Sequence, residues 1–278
     1  MAGPVCYSGP MFGVDAFRVP WRHRRLVLQL ARREVAARYR GSFLGIAWAF
    51  ALPLATLGVY TFAFGQVLGR HDALAEAGHP VPFVLFLFTG LLLFHIVAEL
   101  VQSSPNLIRS NAVYVKQVIF PLEILPIVAL LAALFNALVS AAMLLVFHIA
   151  LIGLPPASAL WLPIVAAPVV LLAGGLGWAL AAVGAYFRDL TQVVGLVTTG
   201  LLFLSPIFYG LDAVPEGIRT VLSMNPIATV VTAARSVLFL GTAPDFLGIA
   251  ASLAACALVF ALGFELFRWL RPHFADVV

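Results

Sequence analysis

The arginines of residues 21–40, WRHRRLVLQLARREVAARYR, are the most prominent group of side chains able to bind a ligand. This segment has neither proline nor glycine, so we expect it to be a helix. On a helical wheel of 100° per residue, five arginines lie within about one third of the circumference: Arg22, Arg25, Arg32, Arg33 and Arg40. Guanidinium groups bind phosphate oxygens in pairs of parallel hydrogen bonds. The pattern predicts an amphipathic helix in the membrane interface whose basic stripe faces lipid phosphates or a partner protein. A simple topology anchor is the alternative interpretation.

Nucleotide hydrolysis and metal chemistry are not expected of this chain. Its only lysine, Lys116, stands in NAVYVKQ, without the glycine-rich loop and the following serine or threonine that a phosphate-binding loop needs. The sequence has no HExxH pattern, no cluster of cysteine and histidine, and no nucleophile elbow. We therefore expect a non-catalytic protein with no cofactor and no metal site of its own.

The carboxylates argue against an ion-driven carrier, which usually needs ionisable groups deep in the membrane. They lie at the predicted ends of apolar segments, at Glu99, Glu123, Asp189, Asp245 and Glu265. His148 stands alone near the end of one segment, where we expect a hydrogen-bonded structural histidine. A channel remains, or a permease that another subunit powers.

Aromatic side chains are plentiful along the chain, and seven of them, in the first predicted span and in the fifth with the turn that follows it, suggest a further role. The candidates for a translocation path are Trp48, Tyr60, Phe62, Phe64, Phe203, Phe208 and Tyr209. Aromatic faces stack on the C–H faces of sugars and leave the sugar hydroxyls hydrated. A path lined in this way is able to pass a chain of sugars without gripping any one of them. Ordinary packing or lipid contact is the alternative.

The elements that would position these side chains are membrane helices. Of the 278 residues, 63% are hydrophobic and 10% are charged, and the mean hydropathy is +1.06. Because soluble domains carry about 25% charged residues, this composition predicts an all-α integral membrane protein. The hydropathy pattern predicts six transmembrane helices, at 43–69, 82–102, 122–152, 159–186, 190–210 and 245–267.

The segment 211–240, between the fifth and sixth predicted spans, has a different pattern. Pro215 and Pro226 divide it into short pieces. The piece 226–240 is apolar, but it is too short to span comfortably and it carries Arg235. We expect a pair of re-entrant or interfacial helices here, since broken backbone at membrane depth needs protein or water around it.

The distribution of basic residues predicts the orientation in the membrane. The arginines before residue 43, the basic residues of the 103–119 loop and those of the C-terminal tail all fall on one side. Both termini are therefore expected in the cytoplasm and the 211–240 segment outside. The predicted organisation is a tail at 1–20, an interface helix at 21–42, a six-span domain at 43–270 and a second tail at 271–278.

Five stretches carry a family resemblance: RYRGSFLGIAW (38–48), NLIRSNAVYVKQVIFPLEILP (106–126), YFRDLTQVV (186–194), SPIFY (205–209) and MNPIATVVTAAR (224–235). Together they resemble the ABC-2 type permeases that export polysaccharides, which include the membrane subunits for capsule, O-antigen and teichoic-acid export. The stretches occur in the order and at the spacing of that family. The resemblance extends from about residue 24 to residue 272.

This resemblance implies a homodimer in the bacterial inner membrane, with the translocation path between the two subunits. It implies two copies of a separate cytoplasmic ATPase, which would hold ATP and Mg²⁺. The implied substrate is a lipid-linked, anionic polysaccharide, and a capsule polysaccharide is preferred because no soluble domain is appended. Periplasmic or outer-membrane export proteins are further expected partners, and nucleic acid is not.

The resemblance also implies roles for individual residues. The 103–119 loop would couple to the ATPase through Ser104, Asn106, Arg109 and Lys116. The interface helix would contact lipid phosphates through Arg32, Arg33, Arg38 and Arg40. The 211–240 segment would form an external gate with Pro215, Pro226 and Arg235.

Three other functions stay open from the sequence alone. The same fold is able to export a small drug or a lipid. A membrane-embedded enzyme that processes a glycolipid would need clustered catalytic groups, whereas the predicted external charges are scattered over Asp72, Glu76, Asp212, Glu216 and Arg219. A structural scaffold would not need the re-entrant segment.

Overall fold

The protein is a bundle of helices in the computed structural model, which describes residues 15–41, 43–67, 72–73, 81–116, 120–210 and 214–274. Its α-helices are α1 (Asp15–Arg22), α2 (Arg24–Tyr39), α3 (Trp48–Thr61), α4 (Phe83–Ser103), α5 (Leu107–Ser110), α6 (Ala112–Val115), α7 (Ile124–Leu151), α8 (Leu162–Tyr186), α9 (Leu190–Leu204), α10 (Glu216–Ser223), α11 (Pro226–Arg235) and α12 (Phe246–Leu270). Some predictions concern residues outside these ranges. They are the predictions for most of the N-terminal tail, the end of the first span, the end of the 103–119 loop, the start of the 211–240 segment and the last residues of the chain.

Five helical segments are long and apolar enough to cross a membrane: Gly45–Gly65, Phe83–Ser110, Ile124–Leu151, Ala157–Tyr186 and Phe246–His273. They overlap the predicted first, second, third, fourth and sixth spans, and the second segment continues into the predicted 103–119 loop. Several α-helices extend at their ends into 3₁₀ or π turns, and this lengthens the segments. The chain is therefore a multi-pass membrane protein, as its composition predicts.

The predicted fifth span is shorter than expected. It forms α9, a helix of 15 residues that ends at Leu204 and not at residue 210. At 1.5 Å per residue this helix is about 22 Å long, less than the ~30 Å of a bilayer core. The helix stops because Ser205 precedes Pro206, and the residue before a proline is driven to extended backbone, here φ −93° and ψ 142°.

In the part of the chain that the structure describes, a short β-hairpin differs from the all-helical prediction. Strand β1 (Asp72–Ala73) pairs antiparallel with β2 (Val81–Pro82), so that Asp72 stands opposite Pro82. The hairpin directly precedes α4.

The predicted helix 21–40 is split into α1 and α2 by one turn residue, His23. Helix α2 packs along α7, with Val27 and Ala31 buried against Ile124 and Val128. The apolar side of the amphipathic pattern therefore faces protein. The opposite side exposes most of the arginines.

Helix α4 lies at the centre of the bundle, and α3 lies at its periphery. In their most apolar stretches, 83% of the residues of the second span are buried, compared with 11% in the first span. Helix α4 contacts α3, α7, α8, α9 and α11. A polar residue on α4 is therefore held in a rigid frame, whereas α3 has most of its surface available to lipid or to a partner.

Helices α8 and α12 approach each other closely through glycine. A Cβ atom placed on Gly175 would lie 2.6 Å from both the Cα atom of Phe260 and the carbonyl oxygen of Val259. Beside this contact, the Trp178 ring meets Phe260 and Phe264 edge-on, at centroid distances of 4.8 Å and 5.0 Å.

The predicted helix pair between the fifth and sixth spans is present as α10 and α11, and α11 packs against α4 and α8. His148, at the end of α7, is buried, and its two ring nitrogens lie 2.9 Å from the Gly153 carbonyl oxygen and 3.1 Å from that of Leu238. This agrees with the structural role expected for His148 and ties α7 to the turn that follows α11.

Candidate functional site

A cavity of about 570 Å³ lies among α3, α4, α7 and α9. Its volume is within the range of about 300–1,000 Å³ that ligand sites occupy. Much of its wall is apolar, with Leu52, Pro53, Leu91 and Leu202 among the lining residues. Hydrocarbon or the apolar faces of sugars would suit these walls.

One face of α4 supplies a polar stripe to this cavity. His95, Glu99 and Gln102 follow each other at helical spacing, and all three line the cavity. These residues are exposed or half-buried, although their neighbours Phe94, Ala98 and Leu100 are buried. The most deeply packed helix of the bundle thus opens to the cavity through hydrogen-bonding side chains.

A hydrogen-bonded network at one end of the cavity joins α2, α4 and α7. The Arg38 guanidinium donates to the Glu99 carboxylate and forms an ion pair with it. The Asn136 amide nitrogen lies 3.0 Å from each oxygen of the same carboxylate. The Tyr39 hydroxyl donates to the Asn136 side-chain oxygen at 2.9 Å, so the amide NH₂ group is turned toward Glu99.

The charge of Arg38 is secured by this network. Burial lowers the pKa of the Arg38 guanidinium, but the hydrogen bond and the negative charge of Glu99 offset burial, and the net pKa is raised. Arg38 is therefore a fixed cation at the cavity, and Glu99 is its counter-anion.

The predicted path aromatics separate into two groups. Trp48 and Tyr60 line the cavity. Phe208 instead lies at the centre of an aromatic cluster, with ring centroids 5.3 Å from Tyr60, 4.7 Å from Phe64 and 5.5 Å from Phe203. Tyr60 therefore connects the cavity with the cluster.

The remaining path candidates, Tyr209 and Phe62, lie in different surroundings. The Tyr209 hydroxyl donates to the Phe203 carbonyl oxygen at 2.8 Å, which stabilises the turn after α9. Phe62 is 63% exposed on the outer surface of the subunit. The structure thus brings most of the seven aromatic candidates together along α3 and the end of α9, and Phe62 points away from them.

Two of the predicted coupling residues in the 103–119 loop, Ser104 and Arg109, face the interior of the bundle. Ser104 is fully buried, and its hydroxyl donates to the Leu100 carbonyl oxygen at 2.6 Å. The Arg109 guanidinium donates to the Ala185 carbonyl oxygen at 3.0 Å, which ties α5 to the end of α8. Ser104 therefore stabilises the loop from inside and presents no surface to a partner.

The outward-facing part of the loop includes Asn106, Val113 and Lys116, all exposed. Val113 is 71% exposed, an apolar side chain between two polar ones. Beside it, the Tyr114 ring stacks on Phe120 at 4.4 Å, and the Arg33 guanidinium lies 3.5 Å from the Tyr114 hydroxyl. The interface helix and the loop thus meet at one end of the bundle.

The predicted gate residues are not equivalent in the structure. Pro215 is exposed before α10, and Pro226 occupies the first turn of α11, which is capped by the Asn225 side chain. Arg235 is only 5% exposed. Its guanidinium donates to the carbonyl oxygens of Phe86, Pro206 and Ile207.

Sequence reasoning missed the roles of Tyr39, Glu99 and Asn136. Glu99 and Asn136 each interrupt a long apolar run, and that interruption was the available signal. Among the residues that the structure describes, no group of three or more His, Cys, Asp or Glu side chains is placed to hold a metal ion. The site is therefore one of hydrogen bonds, one ion pair and aromatic surface.

Comparison with known proteins shows the family of this chain. The profile of the family described as "ABC-2 type transporter" matches residues 25–239. The chain is 28% identical to the O-antigen export system permease protein RfbA of Myxococcus xanthus over 261 residues, which cover 93% of this chain and 97% of the relative.

Two other relatives carry related names. An O-antigen export system permease protein RfbA of Klebsiella pneumoniae is 24% identical, and the match covers 91% of this chain and 95% of that protein. The polysialic acid transport protein KpsM of Escherichia coli is 26% identical, with 75% of this chain and 79% of that protein covered. The relatives are named as permeases and transport proteins, which agrees with the expectation of a non-catalytic transporter subunit. The family match spans most of the helical bundle and its cavity, and this chain belongs to the ABC-2 type transporter family.

Proposed function

We propose that this chain is the membrane-spanning permease subunit of an ATP-driven exporter that moves a lipid-linked, anionic polysaccharide outward across the bacterial inner membrane. The observation that carries the proposal is the cavity, because it combines aromatic surface, a polar stripe on α4 and a positively charged arginine at one end. Aromatic faces and hydrogen-bonding groups suit sugars, and the arginine suits a phosphate.

The names of the relatives support an O-antigen polysaccharide ahead of a capsule polysaccharide. The matches to O-antigen permeases cover 91–93% of this chain, whereas the match to the polysialic acid transporter covers 75%. The capsule preference drawn from sequence alone therefore gives way to an O-antigen type of substrate in this proposal.

The proposed partners are a second copy of this chain and two copies of a cytoplasmic ATPase. Coupling is assigned to the outward surface of Asn106, Val113 and Lys116, supported from behind by Ser104 and Arg109. In this arrangement both termini are cytoplasmic, and α10 and α11 lie on the external side. The sparsely buried α3 and the exposed aliphatic face of α9 are surfaces that a second copy would cover.

The test is co-expression with a candidate ABC ATPase of the host, followed by purification of the complex in lipid nanodiscs. We expect co-purification in equal amounts, ATP turnover that rises several-fold with the lipid-linked polysaccharide of the host, and loss of surface polysaccharide on deletion. Stimulation by drugs or free lipids alone would favour the small-molecule exporter. A chain that purifies alone, and whose deletion leaves surface polysaccharide unchanged, would contradict the proposal.

A further inference from the structure

The Arg38–Glu99 ion pair is accessible from the cavity. The exposed side-chain fractions are 35% for Arg38 and 25% for Glu99, so neither group is sealed inside protein. Among the described residues that line the cavity, these two carry full charges. An anion that approaches Arg38 therefore meets a site already occupied by the carboxylate of this chain.

The two partners of the ion pair differ in how firmly they are held. Glu99 stands on the buried helix α4 and keeps two hydrogen bonds from Asn136, which the Tyr39 hydroxyl orients. Arg38 stands near the end of α2 on a long side chain. If the ion pair opens, Glu99 still has hydrogen-bond donors, so the carboxylate is not left without partners.

We propose that Glu99 is a displaceable counter-anion that restricts the cavity to amphiphiles carrying a phosphate group. The phosphate takes the place of the Glu99 carboxylate on Arg38, and the apolar walls take up the adjoining hydrocarbon. One charge-assisted hydrogen bond replaces another, so an anionic headgroup is able to make the exchange and a neutral one is not. This inference rests on the proposed function, since it names how the substrate's anionic end is selected.

The experiment measures binding to the full chain in dodecyl maltoside micelles, whose headgroup carries no phosphate, without ATP or ATPase, by native mass spectrometry. The probes are a polyprenyl phosphate, the neutral polyprenol of the same length and inorganic pyrophosphate. Glu99→Gln removes the competing charge and is expected to tighten polyprenyl phosphate binding about tenfold, and Arg38→Gln to weaken it about tenfold. Polyprenol binding is expected to stay unchanged in both variants.

The matched controls are Glu216→Gln and Arg188→Gln, because both residues are exposed, lie outside α2 and do not line the cavity. Each is expected to change binding by less than about twofold. Glu99→Asp, with a shorter side chain and the same charge, is the second variant if Glu99→Gln does not fold. It is expected to tighten binding about threefold by weakening the ion pair.

Three results would overturn the inference. Unchanged or weaker binding in a stably folded Glu99→Gln variant would make Glu99 a structural residue. An equal gain for polyprenol would mean that the cavity recognises only hydrocarbon. Displacement of polyprenyl phosphate by equimolar pyrophosphate would assign the site to a free phosphate ion. Because the assay contains no ATPase, each of these results is distinguishable from failure of the exporter proposal.

Discussion

Arg235 illustrates how a single charged residue is accommodated in an apolar helix. Its guanidinium bridges α11, α4 and the turn after α9 through three carbonyl acceptors, and it lies over the Phe86 ring at 3.3 Å. The planar fork of arginine matches several acceptors at once, which the point charge of lysine does not. Arg235 therefore fixes the base of the helix pair that we propose as the external gate.

Replacing Arg235 with methionine is expected to lower the stability of the protein by about 3 kcal/mol, because it leaves carbonyl oxygens buried without donors. Arg235→Lys is expected to lose about half as much, since it restores one or two of these bonds. Thermal unfolding in detergent, followed by tryptophan fluorescence, measures both. Arg32→Met is the exposed control, and equal midpoints for all variants would show that Arg235 is not a structural tie.

Among the elements, the helices differ in how much movement their packing allows. Helices α8 and α12 touch through backbone at Gly175 and form a rigid pair. Helix α9 is short, and a Cβ atom on its Gly200 would have no heavy atom within 4 Å. We infer that α8 and α12 act as the fixed part of the subunit, whereas α3 and α9, which border the cavity, are the elements able to shift.

Gly175→Ala is expected to destabilise the protein by about 2 kcal/mol, since the added methyl overlaps the backbone of Phe260 and Val259 and α12 must move away. The matched control is Gly200→Ala in α9, which is expected to be neutral or to stabilise by up to about 1 kcal/mol through helix propensity. Thermal unfolding midpoints in nanodiscs compare the two. A Gly175→Ala variant as stable as Gly200→Ala would contradict the close approach of α8 and α12.

In the whole molecule, α2, the 103–119 loop and the cavity lie close enough to be coupled. The Arg33 guanidinium lies near the Tyr114 hydroxyl on the loop, and the Arg38 guanidinium binds Glu99 at the cavity. Helix α2 therefore touches both the surface assigned to the ATPase and the network assigned to the substrate. A shift of α2 would reach both places.

Reversing the charge of the exposed loop, with Val113→Glu and Lys116→Glu together, is expected to reduce ATPase co-purification at least tenfold, because it places carboxylates where the contact is assigned. Membrane insertion and the thermal midpoint of the chain itself are expected to stay unchanged. Glu216→Lys, a reversal on the exposed α10, is the control and is expected to leave co-purification intact. Normal recovery of the ATPase with the double variant would remove the coupling role of this surface.

The composition and the local sequence pattern are sufficient to predict the membrane class, the approximate positions of five long helices and the helix pair after α9. These properties depend on hydropathy over about 20 residues and on proline positions, both of which are local. The predicted fifth span is longer than α9, because residues 205–210 continue the apolar pattern while Ser205 adopts extended backbone before Pro206. Hydropathy does not distinguish helical from extended backbone, so it does not show where the helix ends.

Which polar residues meet depends on how distant helices pack against each other. Arg38 and Glu99 are 61 positions apart, and Arg235 and Phe86 are 149 apart, so no local pattern links them. Helical periodicity states which residues share a face, but it does not state which helix covers that face. For that reason the predicted partner surface includes Ser104, which lies buried, and the predicted site omits Glu99, which binds Arg38 at the cavity.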